Sequence, residues 1–222
     1  GMSKQPDPIV VGIDGTGSGS YRETPGSVPS HVENLVEDYQ TPDSNKLYLD
    51  GPDGASKYLP YTNGQNQQLE DQAYDFIAER ACENPDAPVD LYGHSRGGYV
   101  ATNVAQRLND EGIVCGEPEG PYSQAVDVRN MGLYDPVDMD LGYGRGDTIP
   151  PNVHHAAVVA APEEVQGEPD YDQSRDAFRR PSADAADPAQ TAVDHVEATG
   201  THSAIGGAAG AGDHPDGYSY QN

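Results

Sequence analysis

The sequence predicts an α/β domain in which helices cover a mostly parallel sheet. The first observation behind this is Pro8-Ile9-Val10-Val11-Gly12-Ile13, an unbroken apolar run near the start of the chain. A continuous run, as opposed to an alternating one, marks a strand buried on both faces. The second is a pair of helical patterns, each next to a strand-like run: Leu69, Ala73, Ile77 and Ala81, then Val100, Val104 and Leu108. Steps of four place such residues on one face of a helix. The third is the junction Gly93-His94-Ser95-Arg96-Gly97. It joins a short apolar run to the second helix through a Gly-x-Ser-x-Gly turn.

The elements follow in order. The first strand ends in Asp14-Gly15-Thr16-Gly17-Ser18-Gly19-Ser20, a glycine-serine loop. Residues His31 to Tyr39 form an amphipathic patch that predicts a short helix, and Lys46-Leu47-Tyr48-Leu49 a second strand. The glycines and prolines between 51 and 64 predict a long loop, and a helix follows over 67–81. Val89 to Tyr92 is the third strand, with the helix after Ser95 behind it. Val126 to Tyr134, Val153 to Ala160 and Thr191 to Thr199 supply the fourth, fifth and sixth strands. Residues 162–190 are acidic and weakly patterned. Strands alternating with helices give the expected order 2-1-3-4-5-6, with the switch point between the first and third strands.

The chain of 222 residues suits one domain, taken as 2–222 because Gly1 before Met2 reads as an expression remnant. The glycine- and alanine-rich tail from about residue 206 is expected to pack poorly. Thirty-seven acidic residues against 12 basic ones leave a formal net charge of -25. That balance excludes nucleic acid as a partner, whose phosphates need a basic face, and stable association with an anionic membrane. Lysine occurs only at Lys4, Lys46 and Lys57, a composition that suits a saline environment. Ser3-Lys4-Gln5-Pro6-Asp7 lacks the basic start and apolar core of a secretory leader. The default expectation is therefore cytoplasmic, with leaderless export as the other route. Cys82 and Cys115 fit neither a metal nor a redox spacing, and two buried thiols are expected over one disulfide.

The chemistry centres on Ser95. In a nucleophile elbow the serine caps a strand in a strained conformation, and both flanking glycines avoid collision with neighbouring backbone. The next amide, on Arg96, opens a helix, where its N–H can face an oxyanion. A second oxyanion donor should come from the loop after the first strand, at Gly15 or Thr16. That loop lacks the Gly-Lys-Ser/Thr ending of a phosphate cradle. An activated serine needs a base, and the base an orienting acid. Of the downstream histidines, His202 follows the last predicted strand and so faces the Ser95 edge. His154 and His155 start a strand, His195 lies inside one, and His214 is in the tail. For the acid, Asp135 follows the fourth strand and precedes Pro136, with Asp138 and Asp140 as rivals.

Asp14-Gly15-Thr16, Gly93-His94-Ser95-Arg96-Gly97, Gly132-Leu133-Tyr134-Asp135-Pro136-Val137 and His202-Ser203-Ala204-Ile205-Gly206-Gly207 together resemble the α/β-hydrolase family that includes the type VI secretion phospholipase effectors. There the motifs read approximately D-G-T, G-F-S-R-G, G-x-x-D-T-V and H-S-D-V-G-G. The resemblance implies an α/β-hydrolase-like three-layer sandwich with Ser95 as nucleophile, Asp135 as acid and His202 as base. His94, Pro136 and Ala204 depart from the motifs, and the chain is too short for the effectors' large insertions. The expectation is a compact esterase or lipase-like serine hydrolase for small or soluble esters, with no metal or organic cofactor. An amidase or peptidase with the same triad, or a binding protein with a silent triad, are the rival readings.

Overall fold

The computed structural model describes residues 5–15, 29–51, 64–116, 122–138, 142–161, 179–198 and 205. The elements are β1 (Ile9–Ile13), α1 (His31–Asp38), β2 (Lys46–Leu49), α2 (Gln65–Glu83), β3 (Val89–His94) and α3 (Arg96–Glu111). They continue with β4 (Ile113–Cys115), β5 (Tyr122–Gln124), β6 (Val128–Tyr134), β7 (Val153–Ala160) and β8 (Ala192–Glu197). Among the described residues the main sheet has six strands in the order β2-β1-β3-β6-β7-β8. Every pairing within it is parallel. This is the order expected from sequence, the fourth to sixth predicted strands being β6, β7 and β8. The antiparallel pair β4–β5 was not expected, since three residues in each strand are too few to show a period.

All five residues of β1 are buried, as its continuous apolar run requires. Ile9, Val11 and Ile13 join the main core with Leu69, Ile77 and Val104 from α2 and α3. Each such side chain contributes roughly 1.5–3 kcal/mol when fully buried. The opposite face meets α1 so closely that a Cβ at Gly12 would lie 2.6 Å from Val36 Cγ2 and 2.7 Å from Val32 Cγ1. Helices therefore cover both faces of this half of the sheet, making a three-layer α/β sandwich with a parallel sheet. Ser30 caps α1, its Oγ accepting the Glu33 N–H at 3.0 Å. Such a cap stabilises by about 1 kcal/mol.

Two fully buried carboxylates brace the frame. Glu70 of α2 accepts from Arg107 at 3.2 Å, from Arg145 at 2.9 Å and from the Tyr143 hydroxyl at 2.9 Å. Asp90 of β3 accepts from both Arg129 Nε at 3.1 Å and Nη2 at 2.5 Å, from the Asn130 N–H at 3.1 Å, and from the Tyr39 hydroxyl.

The cysteines correct the expectation of free thiols: Cys82 and Cys115 form a disulfide, with Cα atoms 5.6 Å apart. The pairing is tertiary in origin. The chain leaves α2, crosses β3 and returns along α3, which brings β4 back beside the last turn of α2. Disulfides persist in oxidising compartments and are rare in the cytosol, which weighs against the cytoplasmic expectation. Among the described residues no helix is long and apolar enough to cross a membrane.

Candidate active site

Ser95 stands between β3 and α3 with φ 59° and ψ -127°. A non-glycine residue held there carries about 1–3 kcal/mol of strain, which the surroundings must impose. They do so from two sides. Backbone bonds stitch the elbow to β6 and its exit: the Ser95 N–H donates to Tyr134 O at 2.9 Å, and the Val137 N–H donates to Ser95 O at 3.1 Å. The glycines then let three backbones interlock. A Cβ at Gly93 would lie 2.4 Å from Gly97 O, and one at Gly97 would lie 2.1 Å from Ile13 O. Both distances are below any real Cβ contact, so the collisions expected from sequence exist. Arg96 opens α3, where amides face out of the helix at the positive end of its dipole. Its side chain is fully buried, with Nη1 donating to Gln65 Oε1 at 3.3 Å.

Asp135 follows β6 directly, buried and with φ 47°. Its N–H donates to Val159 O at 2.7 Å, tying it to β7. Because Tyr134 O accepts the Ser95 N–H, the acid and the serine occupy adjacent strand ends on one edge of the sheet. Asp135 also walls a cavity of about 580 Å³ with Val158, Arg180, His195 and Glu197. The rival Asp138 is engaged elsewhere, accepting from Arg179 Nη2 at 2.8 Å. Asp140 lies outside the described residues.

Three of the downstream histidines are paired with aspartates away from Ser95. His154 is 3.2 Å from Asp127 and His155 is 2.8 Å from Asp194, both toward the amino end of β7. His195 lines the Asp135 cavity, but its Nε2 is 3.2 Å from Asp184. His202, His214 and Thr16 lie outside the described residues. Ile205 is described: it is buried, and its carbonyl is 3.0 Å from His31 Nδ1 at the start of α1. The His31 ring packs 6.0 Å from that of Tyr134, the residue before Asp135.

Asp14, which the sequence offers only as part of the Asp14-Gly15-Thr16 motif and with no role of its own, has a defined place here. This carboxylate is fully buried at the end of β1. It accepts from Ser30 Oγ at 2.5 Å, from the Tyr48 hydroxyl and from the Gly15 N–H at 3.2 Å, and its Oδ1 is 3.7 Å from His94 Nδ1. Burial alone would raise its pKa, but His94, Ser30 and Tyr48 outweigh burial and hold it below the ordinary carboxylate value. Burial and the Asp14 charge push the Tyr48 hydroxyl up, so it stays a donor. The signals in the sequence were an acid set at the end of an apolar strand and its place in the Asp14-Gly15-Thr16 motif. Its partners come from positions 30, 48 and 94, which no local pattern connects. Gly15 is as close to the serine as expected: a Cβ there would be 2.8 Å from Ser95 Cβ. Its own N–H points to Asp14. Among the described residues no group of three or more His, Cys, Asp or Glu is placed to hold a metal ion.

No protein-family profile matches this chain, and no curated protein does. Solved structures do resemble it. The Atu2452 protein of unknown function from Agrobacterium tumefaciens is 15% identical with a TM-score of 0.44, over 90% of this chain and 85% of that one. An uncharacterised protein from Pseudomonas aeruginosa is 13% identical with a TM-score of 0.47, over 93% of this chain but only 42% of that longer one. The RedJ thioesterase of prodiginine biosynthesis in Streptomyces coelicolor is 14% identical with a TM-score of 0.40, over 93% and 85%. At these distances a neighbour's activity does not carry across, and the resemblance to the secreted phospholipases rests on the sequence motifs.

Proposed function

We propose that this protein is a serine hydrolase that cleaves carboxylic esters through an acyl-enzyme. The observation that carries the reading is the backbone of Ser95: a non-glycine residue held at φ 59° between interlocked glycines, beside the strand end that bears Asp135. A fold maintains such strain where a side chain must be presented, not where a turn merely reverses the chain.

In this reading His202 takes the proton from Ser95 Oγ as that oxygen attacks the ester carbonyl. Asp135 holds the imidazole and stabilises its cation. The oxyanion faces the Arg96 amide and a second amide of the loop after β1; with the Gly15 N–H on Asp14, Thr16 is the candidate for that donor. Collapse of the tetrahedral intermediate breaks the bond to the leaving alkoxide, which takes the proton back from His202. Water then attacks the acyl group, delivering its proton to the same histidine, and releases the acid and Ser95. The position of Ile205 supports the base. His202 is three residues upstream, within about 11 Å of extended chain, of a carbonyl fixed beside His31 and Tyr134.

Labelling with a fluorophosphonate probe tests this. The native protein should become covalently labelled, and Ser95→Ala should lose labelling while its unfolding transition stays cooperative. Equal labelling of Ser95→Ala, or an unreactive native protein, would remove the hydrolase reading.

A further inference from the structure

The carboxyl ends of β2, β1 and β3 meet at one buried side chain, that of Asp14. Tyr48 reaches it from β2, His94 from β3, and Ser30 from the cap of α1, while Asp14 itself ends β1. His94 is the residue immediately before Ser95. Its ring turns toward β1, so that a Cβ on Gly15 would lie 3.3 Å from His94 Nδ1 and 3.2 Å from His94 O. From the other side Gly51 presses on the same segment: a Cβ at 51 would lie 1.9 Å from Gly15 O. Gly15 is thus clamped between the loop after β2 and the elbow, with its N–H on Asp14.

We propose that Asp14 and His94 are positioning residues that fix where the chain leaving β1 runs past Ser95, and so where its oxyanion donor stands. The proposal rests on the reading of Ser95 as nucleophile. Two physical points support it. A shift of about 1 Å in a catalytic donor can cost on the order of 100-fold in rate, so the root of that loop needs an anchor that does not yield. A buried carboxylate is an expensive anchor, since each ion taken from water costs several kcal/mol unless its oxygens are well satisfied. Here four groups face it, and they come from the elements that frame the serine. They also spread its negative charge, which would otherwise oppose an oxyanion forming nearby.

The test separates the ring nitrogen that stands 3.7 Å from Asp14 from the bulk of the ring. In His94→Phe the ring volume remains without a nitrogen; in His94→Asn a side-chain N–H₂ stands in for that polar group. Both are compared with the native protein, Asp14→Asn and Ser95→Ala in fluorophosphonate labelling at graded probe concentrations. Thermal unfolding is followed in parallel. His94→Phe and Asp14→Asn should lower the maximal labelling rate about 10-fold or more, in the range seen for weakened oxyanion stabilisation, with the half-saturating concentration little changed. His94→Asn should recover most of that loss. Native labelling rates in His94→Phe, equal losses in His94→Phe and His94→Asn, or failure of both His94→Phe and Asp14→Asn to unfold cooperatively would each overturn the proposal. If Ser95→Ala labels like the native protein, the hydrolase reading fails first and takes this one with it.

Discussion

The two ends of the sheet are built differently. At β1 and β3 nearly every side chain is buried, helices lie on both faces, and glycines let three backbones come within collision distance of one another. At β8, five of the six residues are exposed, and Val196 keeps 47% of its surface in water. The half that carries Ser95 tolerates no added atom; the far edge is specified mainly by its backbone ladder to β7. Strain at the elbow can be held only where packing is dense, so placing the serine at the end of a central strand, between β1 and β6, follows from mechanics.

The contrast can be broken most forcefully at Gly97. Gly97→Ala puts a methyl group 2.1 Å from Ile13 O, and the expected loss exceeds about 4 kcal/mol, read as a collapse of the urea midpoint or absence of folded protein. A loss below about 1 kcal/mol would mean that β1 and α3 can part, and the interlock would be a poor account of the elbow. Next comes the disulfide, which closes a separation of 33 residues around β3 and α3. In the loop-entropy picture, replacing both cysteines by alanine should cost about 3–4 kcal/mol, and reducing agent should destabilise the native protein but not that variant. Equal sensitivity of the two proteins to reductant would show that the bridge contributes nothing.

Smaller effects sharpen the comparison. With a net charge of -25, repulsion among exposed carboxylates opposes the compact state, and chloride salts should relieve it. The melting temperature should rise from low to molar NaCl and KCl, by about 2–4 °C for each kcal/mol of repulsion removed. A flat or falling series would dispose of the idea of salt adaptation. The smallest change belongs to the far edge: Val196→Thr should alter stability by no more than about 0.5 kcal/mol. A drop of 2 kcal/mol there would show that β8 is as tightly specified as β1.

What could be read in advance follows the same division. The run Ile9–Ile13, the four-residue steps of α2 and α3, and the glycines around Ser95 each encode their environment locally, and the sheet order followed from them. The strand-end positions of Ser95 and Asp135 were legible because each follows a strand whose apolar pattern stops there. Asp14 was not, because its meaning depends on Ser30, Tyr48 and His94, which only the fold assembles. The disulfide escaped for the same reason: Cys82 and Cys115 are neighbours only because α3 carries the chain back past α2. β4 and β5 were simply too short to carry a period. His202 and Thr16 lie outside the described residues, so their roles rest on the sequence alone.

The arginines lead to one more consequence. Arg107 and Arg145 are spent on the buried Glu70, Arg129 on the buried Asp90, and Arg96 lies wholly inside. Eight cations remain of the 12 against 37 acidic residues, so the net charge of -25 gives the molecule a predominantly anionic surface. Such a molecule moves through solution as a macro-ion wrapped in its own cation atmosphere, and in dilute buffer that atmosphere sorts what can approach. Anionic small molecules are held off, while neutral or cationic ones can approach. Near 1 M salt, where the field dies within about 3 Å, the sorting stops.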